Sequence, residues 1–352
     1  RAAKRLSEAA GREAKTIHRL LEWNPATGRF NRNAHTPIDA DLVLVDEASM
    51  LDIRLASQLL EAVPPQATLV LVGDVDQLPP VGPGQPLRDL ISSGVCPTVR
   101  LHEVFRQAQQ SAIVLGAHSV LEGQMPEPTP AGTRGEGDLF IIPASDPDTI
   151  TERLVQTLRR MSVAYGFDPK HDVQVMSPMR RGPLGTLRLN EVLQEALNPA
   201  PPGSTPSPGF RRGDKVMQLR NDYEREVYNG DLGEVQRVEG GVTYILFDGR
   251  EVQYKTDDLD ALSLAYACTI HKVQGSEFAA GIIVMHNAHY VLLNRALLYT
   301  GLTRAKKLVV MLGDPRAMAR AARNALSYET NSRLLERLRA AETESSDSKS
   351  AS

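Results

Sequence analysis

Aromatic residues make up only 5% of the chain, with one tryptophan, and cysteine occurs twice, at Cys96 and Cys268. Cysteines this far apart make no C-x-x-C pair, and with eight scattered histidines they give no metal-ligand spacing. Neither a disulfide scaffold nor a structural zinc site is indicated. Long apolar runs are missing as well. The longest are strand-sized and no signal peptide opens the chain, which excludes a membrane-spanning protein and points to a reducing, cytoplasmic location. Positive charge is not in excess: 40 Lys and Arg stand against 43 Asp and Glu, a formal net charge of −3. A protein that coats nucleic acid by bulk charge is therefore excluded, and any polyanion has to meet a local basic track. The last absence is a motif, since no phosphate loop of the form G-x-x-x-x-G-K-[ST] occurs from Arg1 to Ser352.

What is present is ordinary globular composition, 41% hydrophobic and 24% charged over 352 residues, enough for two domains with their own cores. The most informative stretch is Leu42-Val43-Leu44-Val45, followed by the adjacent carboxylates Asp46 and Glu47. A short aliphatic run ending in charge reads as a buried parallel strand whose acids emerge at the carboxyl edge of a sheet, where α/β proteins bind ligands. In nucleotide hydrolases one such carboxylate holds the Mg²⁺ shell and its neighbour polarises water, which assigns Asp46 to the metal and Glu47 to the base. A helical stretch around Arg54 to Ala62 and a second strand, Thr68 to Val72, complete a right-handed βαβ unit.

Further strands are expected at Val173 to Met176, Gly281 to Met285 and Leu308 to Leu312, with helices at Leu187 to Leu197 and Leu292 to Leu302. Two parallel-sheet domains account for this. A Pro/Gly/Ser-rich linker between Asn198 and Gly213 introduces another texture. From Asp214 to Leu262, alternating segments lie between turns at Asn229-Gly230, Gly240-Gly241 and Asp248-Gly249, the pattern of a small antiparallel barrel. Between Glu22 and Ile38, turn signals around Arg29 to Arg32 suggest a hairpin, as readily a functional excursion as a plain loop.

Chemistry-bearing residues cluster beside these strands. Gly73 to Gly82 follows the second strand and brings Gln77, able to bond a γ-phosphate or the attacking water, to the edge that carries Asp46; the alternative is a Pro/Gly turn with solvated acids. Thr269 to Phe278 and Tyr299 to Lys307 flank strands of the second sheet. Arg304 suits transition-state stabilisation across a domain cleft, or is a helix-surface cation; His271 is functional or a structural histidine. Arg180, Arg181, Arg211, Arg212 and Lys215 offer the local phosphate track.

Asp46-Glu47-Ala48-Ser49, the Gly73 to Gly82 loop, Leu101 to Arg106, Met176-Ser177-Pro178, Thr269 to Phe278 and Tyr299 to Lys307, in that order, resemble the successive motifs of superfamily 1 helicases. Their wording is most similar to the RecD-like, 5′-to-3′ DNA helicases, over most of the chain to about Asp314. The resemblance implies two RecA-like parallel-sheet domains, residues 1–110 and residues 111–200 with 263–340. It also implies a β-hairpin insertion at about 22–38, an SH3-like β-barrel insertion at 201–262 and a disordered tail from 341 to 352. It implies ATP and Mg²⁺, with Asp46 on the metal, Glu47 on water, Gln77 sensing the γ-phosphate and Arg106 and Arg304 reaching the phosphates. Gln274, Gly275 and Glu277 would form the nucleotide edge of the second domain. Thr16, His18, Pro79, Pro80, Thr269 and His271 would lie near single-stranded DNA, and Phe30, with Trp23, near the fork of a tailed duplex. Protein partners are not implied.

The family's phosphate loop precedes the segment equivalent to Lys4 to Ala10, and the chain opens at Arg1 already inside a helical pattern. A piece of a complete motor is the expectation, against a degenerate relative that no longer hydrolyses ATP. Two other functions stay open, a passive nucleic-acid-binding clamp and an RNA-directed helicase.

Overall fold

The computed structural model describes residues 2–101, 110–130, 137–201, 209–325 and 332–350. The chain divides into two compact units, Arg1–Glu103 with Leu326–Ser352, and Val104–Ala325. The expected boundaries, 110 and 340, therefore shift to 103 and 325.

In the first unit, helix α1 (Ala2–Ala10) leads to a one-turn helix α2 (Ile17–Leu20) and a minimal hairpin, β1 (Trp23–Asn24) with β2 (Arg29–Phe30). Strand β3 (Leu42–Val45), helix α3 (Ile53–Ala62) and strand β4 (Thr68–Leu71) form the anticipated βαβ unit, and α4 (Pro86–Ser93) follows. Helix α3 starts where it does because the Asp52 carboxylate accepts from Leu55 N at 2.8 Å, satisfying one of the otherwise open first-turn donors. Its residues Ala56, Leu59 and Ala62 lie on one helical face and pack on Val43 and Val45. The expectation of a fully buried strand needs correction: burial alternates along β3, with Leu42 58% and Leu44 45% exposed. In a sheet of two strands, only the face covered by α3 is dry.

The second unit begins with α5 (Ala112–Leu121), β5 (Leu139–Pro143), the nineteen-residue α6 (Pro147–Tyr165), β6 (Val173–Ser177) and α7 (Thr186–Leu197). The inserted strands are β7 (Lys215–Gln218), β8 (Leu232–Glu239), β9 (Val242–Phe247), β10 (Arg250–Lys255) and β11 (Leu262–Leu264). The α/β fold resumes with β12 (Ala267–Thr269), β13 (Phe278–Met285), α8 (Arg295–Leu302), β14 (Ala305–Gly313) and α9 (Pro315–Arg323). The main sheet is wholly parallel, in the order β12-β6-β13-β14-β5. Strands β6, β13 and β14 are buried almost throughout, as strands covered on both faces require. Helix α8 starts three residues later than its apolar pattern suggests, because Asn294 caps it through Leu297 N at 3.0 Å.

The insertion is an antiparallel sheet in the order β10-β9-β8-β7-β11. Its glycine turns fall as expected, with positive φ at Gly240 and Gly241 and at Asp248 and Gly249, the backbone that tight hairpins demand. The expected barrel, however, is an open sheet: among the described residues β10 and β11 do not pair, since the 3₁₀ segment Thr256–Ala261 carries the chain between them.

The insertion is fastened at its root by one buried carboxylate. Asp214 is fully buried and accepts from Gln194 Nε2 (2.6 Å), Arg211 N (2.6 Å), Asn198 Nδ2 (2.7 Å) and Tyr266 OH (2.9 Å). Donors from α7, its C-terminal cap, Arg211 and the bend between β11 and β12 thus converge on the residue that opens the insertion. Burial and this carboxylate together push the Tyr266 hydroxyl well above the usual tyrosine range.

Residues Leu334–Ser350 form α10, which returns to α4 of the first unit through Arg339 Nη2 to Ser92 O (3.0 Å) and Ser332 Oγ to the Asp89 carboxylate (3.3 Å). The expectation of a disordered tail from 341 is corrected by this helix as far as Ser350, residues 351–352 lying outside the described residues: once α10 is anchored near Arg339, each added residue gains one backbone bond without needing a core. Among the described residues no helix is long and apolar enough to cross a membrane.

His289 ends the 3₁₀ turn after β13 and is 2% exposed. Burial, helped by neighbouring His286, lowers its pKa from 6.5 to about 4. Above pH 6.5 the imidazole is neutral in both folded and unfolded chains; as pH falls below that, the unfolded chain takes up the proton first and stability is lost down to about pH 4. Between pH 7 and pH 5 this site should cost roughly 2 kcal/mol of stability, at about 1.4 kcal/mol per pH unit. Urea unfolding at both pH values should show that loss in the native chain and a smaller one in His289→Phe; equal losses would remove His289 as the cause.

Candidate functional site

Strands β3 and β4 pair in parallel from Leu42 opposite Thr68 to Val45 opposite Leu71, so the loops leaving both emerge at one edge. Pairing continues past the strands, with Val72 N on Val45 O and Ala48 N on Val72 O, each at 2.8 Å. The carboxylate loop and the Gly73 loop are therefore one piece of structure. Gly73 is required for it: a Cβ there would lie 2.8 Å from Ser49 N and 2.9 Å from Leu87 Cδ2, too close for any side chain. The Gly82-Pro83-Gly84 end of the same loop packs as tightly, with a Cβ on Gly82 falling onto the Asp52 carboxylate.

Asp46 is exposed, and its Oδ1 accepts from Glu47 N at 2.9 Å. Glu47 holds φ 54° and ψ 36°, a left-handed conformation that costs a non-glycine residue about 1–2 kcal/mol. Its carboxylate meets the Arg5 guanidinium of α1 at 3.6 Å, with the Glu47 side chain 16% exposed. Arg5 is the residue that the sequence did not flag. A lone arginine in a helical stretch carries no signal until the fold lays α1 beside the loop. Gln77 sits in a turn in which its Nε2 donates to Asp74 Oδ2 at 3.3 Å and Asp76 N donates to Asp74 Oδ1 at 3.0 Å. Ser49, Gln77, Pro79, Pro80, Gln85 and Arg88 line a crevice of about 10 Å³, room for about one water and no nucleotide. The Ser49 hydroxyl is buried there without a protein partner among the described residues.

Three acidic, histidine or cysteine groups do not converge on a metal position anywhere among the described residues. A single exposed carboxylate such as Asp46 nonetheless fits Mg²⁺, which keeps most of its shell as water and phosphate oxygens and takes one or two protein carboxylates.

The residues expected near DNA in this unit have structural work of their own. Thr16 caps α2 by accepting from Arg19 N at 3.4 Å. His18, Trp23 and Phe30 form one aromatic cluster, with Trp23 and Phe30 edge to face at 4.9 Å and His18 at 5.5 Å from Phe30. Burial lowers the His18 pKa, opposed by the Asp52 charge. Phe30 therefore packs at the base of the hairpin, and Pro25 to Gly28 form its exposed tip.

In the second unit one loop carries two groups. Thr269 pairs with Ser177 at the carboxyl end of β6, whereas Ala280, two residues into β13, pairs with Val173 at its beginning. The segment 270–277 thus runs from one edge of the sheet to the other, the length of a five-residue strand, about 13 Å apart. Thr269 and His271 lie at the carboxyl edge, where Thr269 accepts from Lys272 N at 3.3 Å and burial lowers the His271 pKa. Gln274, Gly275 and Glu277 lead to the other edge, where Arg304 precedes β14. Arg304 is not a surface cation: it is 4% exposed, its guanidinium donating to Thr300 O, Ser276 O and Thr303 Oγ1 at 3.3–3.4 Å. Glu277 pairs with Lys306 at 2.6 Å beside it. Of the five basic residues considered as a phosphate track, Arg211 is engaged by Glu195 and Asn198 O, and Lys215 is buried with Nζ on Val173 O. Arg106 lies outside the described residues.

Three family models match the chain in order: an AAA domain over residues 1–83, an ATP-dependent RecD-like DNA helicase SH3 domain over 189–247, and a UvrD-like helicase C-terminal domain over 264–312. Among solved structures, Pif1 helicase from Bacteroides in complex with ADP-AlF3 and single-stranded DNA aligns over 96% of this chain and 85% of its own, with TM-score 0.51 and 20% identity. Fold and matched segments together define a superfamily 1 helicase core. Within that class the chain is homologous to the RecD-like helicases. It is 40% identical to the ATP-dependent RecD2 DNA helicase of Deinococcus radiodurans over 97% of this chain and 45% of that protein. It is 30% identical to the RecD subunit of the RecBCD enzyme of Mycobacterium tuberculosis over 92% of this chain and 60% of that protein. The chain thus spans about half the length of the curated relatives it matches.

The contact at Gly73 gives a direct expectation. Gly73→Ala should destabilise the first unit by about 1–3 kcal/mol, the usual result of forcing a methyl into packed surroundings. A fall in the urea midpoint checks this; an unchanged midpoint would mean that the two loops are not held in contact.

Proposed function

We propose that the protein containing this chain is an ATP-dependent DNA helicase, coupling hydrolysis to 5′-to-3′ movement on single-stranded DNA and to unwinding of forked or tailed duplexes. The observation that carries this reading is the single carboxyl edge on which Asp46, Glu47 and Gln77 stand, with Glu47 held in a left-handed turn against Arg5. Asp46 is the metal carboxylate. Bound Mg²⁺ supplies neutralisation of phosphate charge. Glu47 accepts the proton of the attacking water, and its ion pair with Arg5 fixes where that carboxylate stands. Gln77 orients that water or bonds the γ-phosphate, and it changes partner from Asp74 to do so. Gln274, Gly275 and Glu277 contribute to the nucleotide edge of the second unit, and Arg304 provides a guanidinium already ordered by backbone carbonyls. Thr269 and His271, at the opposite edge, face the strand.

DNA as the substrate is supported by the RecD2 and RecD relatives, and polarity by resemblance alone. In a full-length protein containing this chain, Glu47→Gln should lower DNA-stimulated hydrolysis by about 10²–10⁴, the range of a positioned general base, while single-stranded DNA is still bound. Unaltered hydrolysis would refute the motor reading. A duplex with a 5′ tail should be unwound and one with a 3′ tail should not; unwinding from the 3′ tail alone would reverse the polarity, and preference for a matched RNA duplex would change the substrate.

A further inference from the structure

Four arginines of the insertion are neutralised within it. Arg220 pairs with Asp260, Arg225 with Asp222 and Asp258, Arg237 with Glu251 and Arg250 with Glu226. At the adjoining carboxyl edge of the parallel sheet the situation is reversed. Arg180, Arg181 and Lys272 have no carboxylate partner among the described residues, and all three are exposed. Their convergence follows from topology: β6 and β12 are parallel neighbours, so the loop after Ser177 and the loop after Thr269 leave the sheet side by side.

A third loop joins them. Lys272 Nζ donates to Asn229 Oδ1 at 2.7 Å, which ties the segment between β7 and β8 to this edge. That segment is built to hold a fixed shape. Asp222 and Val227 exchange backbone bonds at 2.7 and 3.0 Å, Asn229 N donates to Asn221 Oδ1, and Tyr228 N donates to the Asp231 carboxylate. Arg225 clamps it from below, over the Tyr254 ring at 5.0 Å. Two aromatic rings are presented on this frame, Tyr223 and Tyr228, edge to face at 6.1 Å, with Tyr223 36% exposed. In a chain with so few aromatic residues, an exposed tyrosine on a hydrogen-bonded loop that Asn229 ties to Lys272 has the composition of a single-strand platform, cations for phosphates and a ring face for a base.

We propose that Tyr223, braced by Tyr228, is a base-stacking contact for single-stranded DNA, with Arg180, Arg181 and Lys272 receiving the adjoining phosphates. This deepens the helicase reading and rests on it. The insertion then does more than decorate the second unit: it lends the motor edge an aromatic surface that the parallel sheet itself lacks.

The test uses the full-length protein and a fluorescein-labelled oligo-dT, with anisotropy read across a salt series, and a second oligonucleotide carrying 2-aminopurine. Tyr223→Ala should weaken binding about tenfold, as expected for loss of one base–aromatic stack, and leave the salt slope unchanged; Tyr223→Phe should restore affinity. Lys272→Gln or Arg180→Gln should instead lower the salt slope by about 0.7, the signature of one lost phosphate contact on a single strand. The 2-aminopurine signal, quenched by stacking in the native protein, should rise in Tyr223→Ala. Thermal melting of each variant separates lost contact from lost fold. Native affinity and quenching in a folded Tyr223→Ala would overturn the platform while leaving the helicase reading intact. Failure of the unsubstituted protein to bind any single strand would overturn both.

Discussion

Because β3 and β4 run parallel and in register, the loops leaving them have no choice but to emerge together, and backbone bonds between the loops extend the pairing to Ala48 and Val72. That constraint places the carboxylate pair beside the glutamine loop, and it explains the glycine between them. Gly73 is needed because Ser49 N and Leu87 occupy the space that any side chain would take. A site of this kind is organised by backbone, with side chains added at positions that the backbone has already fixed.

The second unit applies the same rule at its edge strands and adds another. Parallel neighbours β6 and β12 bring two loops to one edge, while the segment 270–277 crosses to the other, so a single stretch of polar sequence serves two places. Arg304 illustrates what burial does to a cation. A guanidinium this enclosed is tolerated because three oxygens receive its N–H groups, and those bonds also fix its direction. The insertion is coupled to this framework through Asp214, whose four donors come from α7, the segment after it, the residue Arg211 and Tyr266. A carboxylate with its acceptor sites filled can be fully buried, and losing any donor would leave part of that charge uncompensated.

Much of this was legible beforehand. The 42–47 run, the glycine-bearing loop after β4 and the aliphatic strands of the second sheet are local patterns, and their order carried the family resemblance. The turns of the insertion were equally clear, since Gly240-Gly241 and Asp248-Gly249 are written in residues that tolerate positive φ. Less legible were features that depend on distant partners. Strand β5 is short and ends in Pro143, so little marks it as the edge of a five-stranded sheet. The open edge of the insertion turns on where a 3₁₀ segment carries the chain. Helix α10 looks like a tail because its sequence is rich in Ser, Glu, Asp and Lys with little to bury, and its place on α4 comes from contacts with residues some 240 positions earlier.

By itself the sequence determined chemistry and order: which carboxylates end a strand, which loops follow parallel strands, and which arginine and glutamine belong to the same motif series. The first two follow from periodicity, charge and spacing along the chain, which are local; the last is what the family resemblance implies. Only the tertiary structure decided that Arg5 meets Glu47, that Phe30 packs at the base of its hairpin, that Arg304 is enclosed, and that Lys272 reaches Asn229 of the insertion. Arg5 with Glu47, Arg304 with Ser276 and Lys272 with Asn229 are meetings of residues far apart in sequence, and no local pattern records the distance between side chains that only folding brings together.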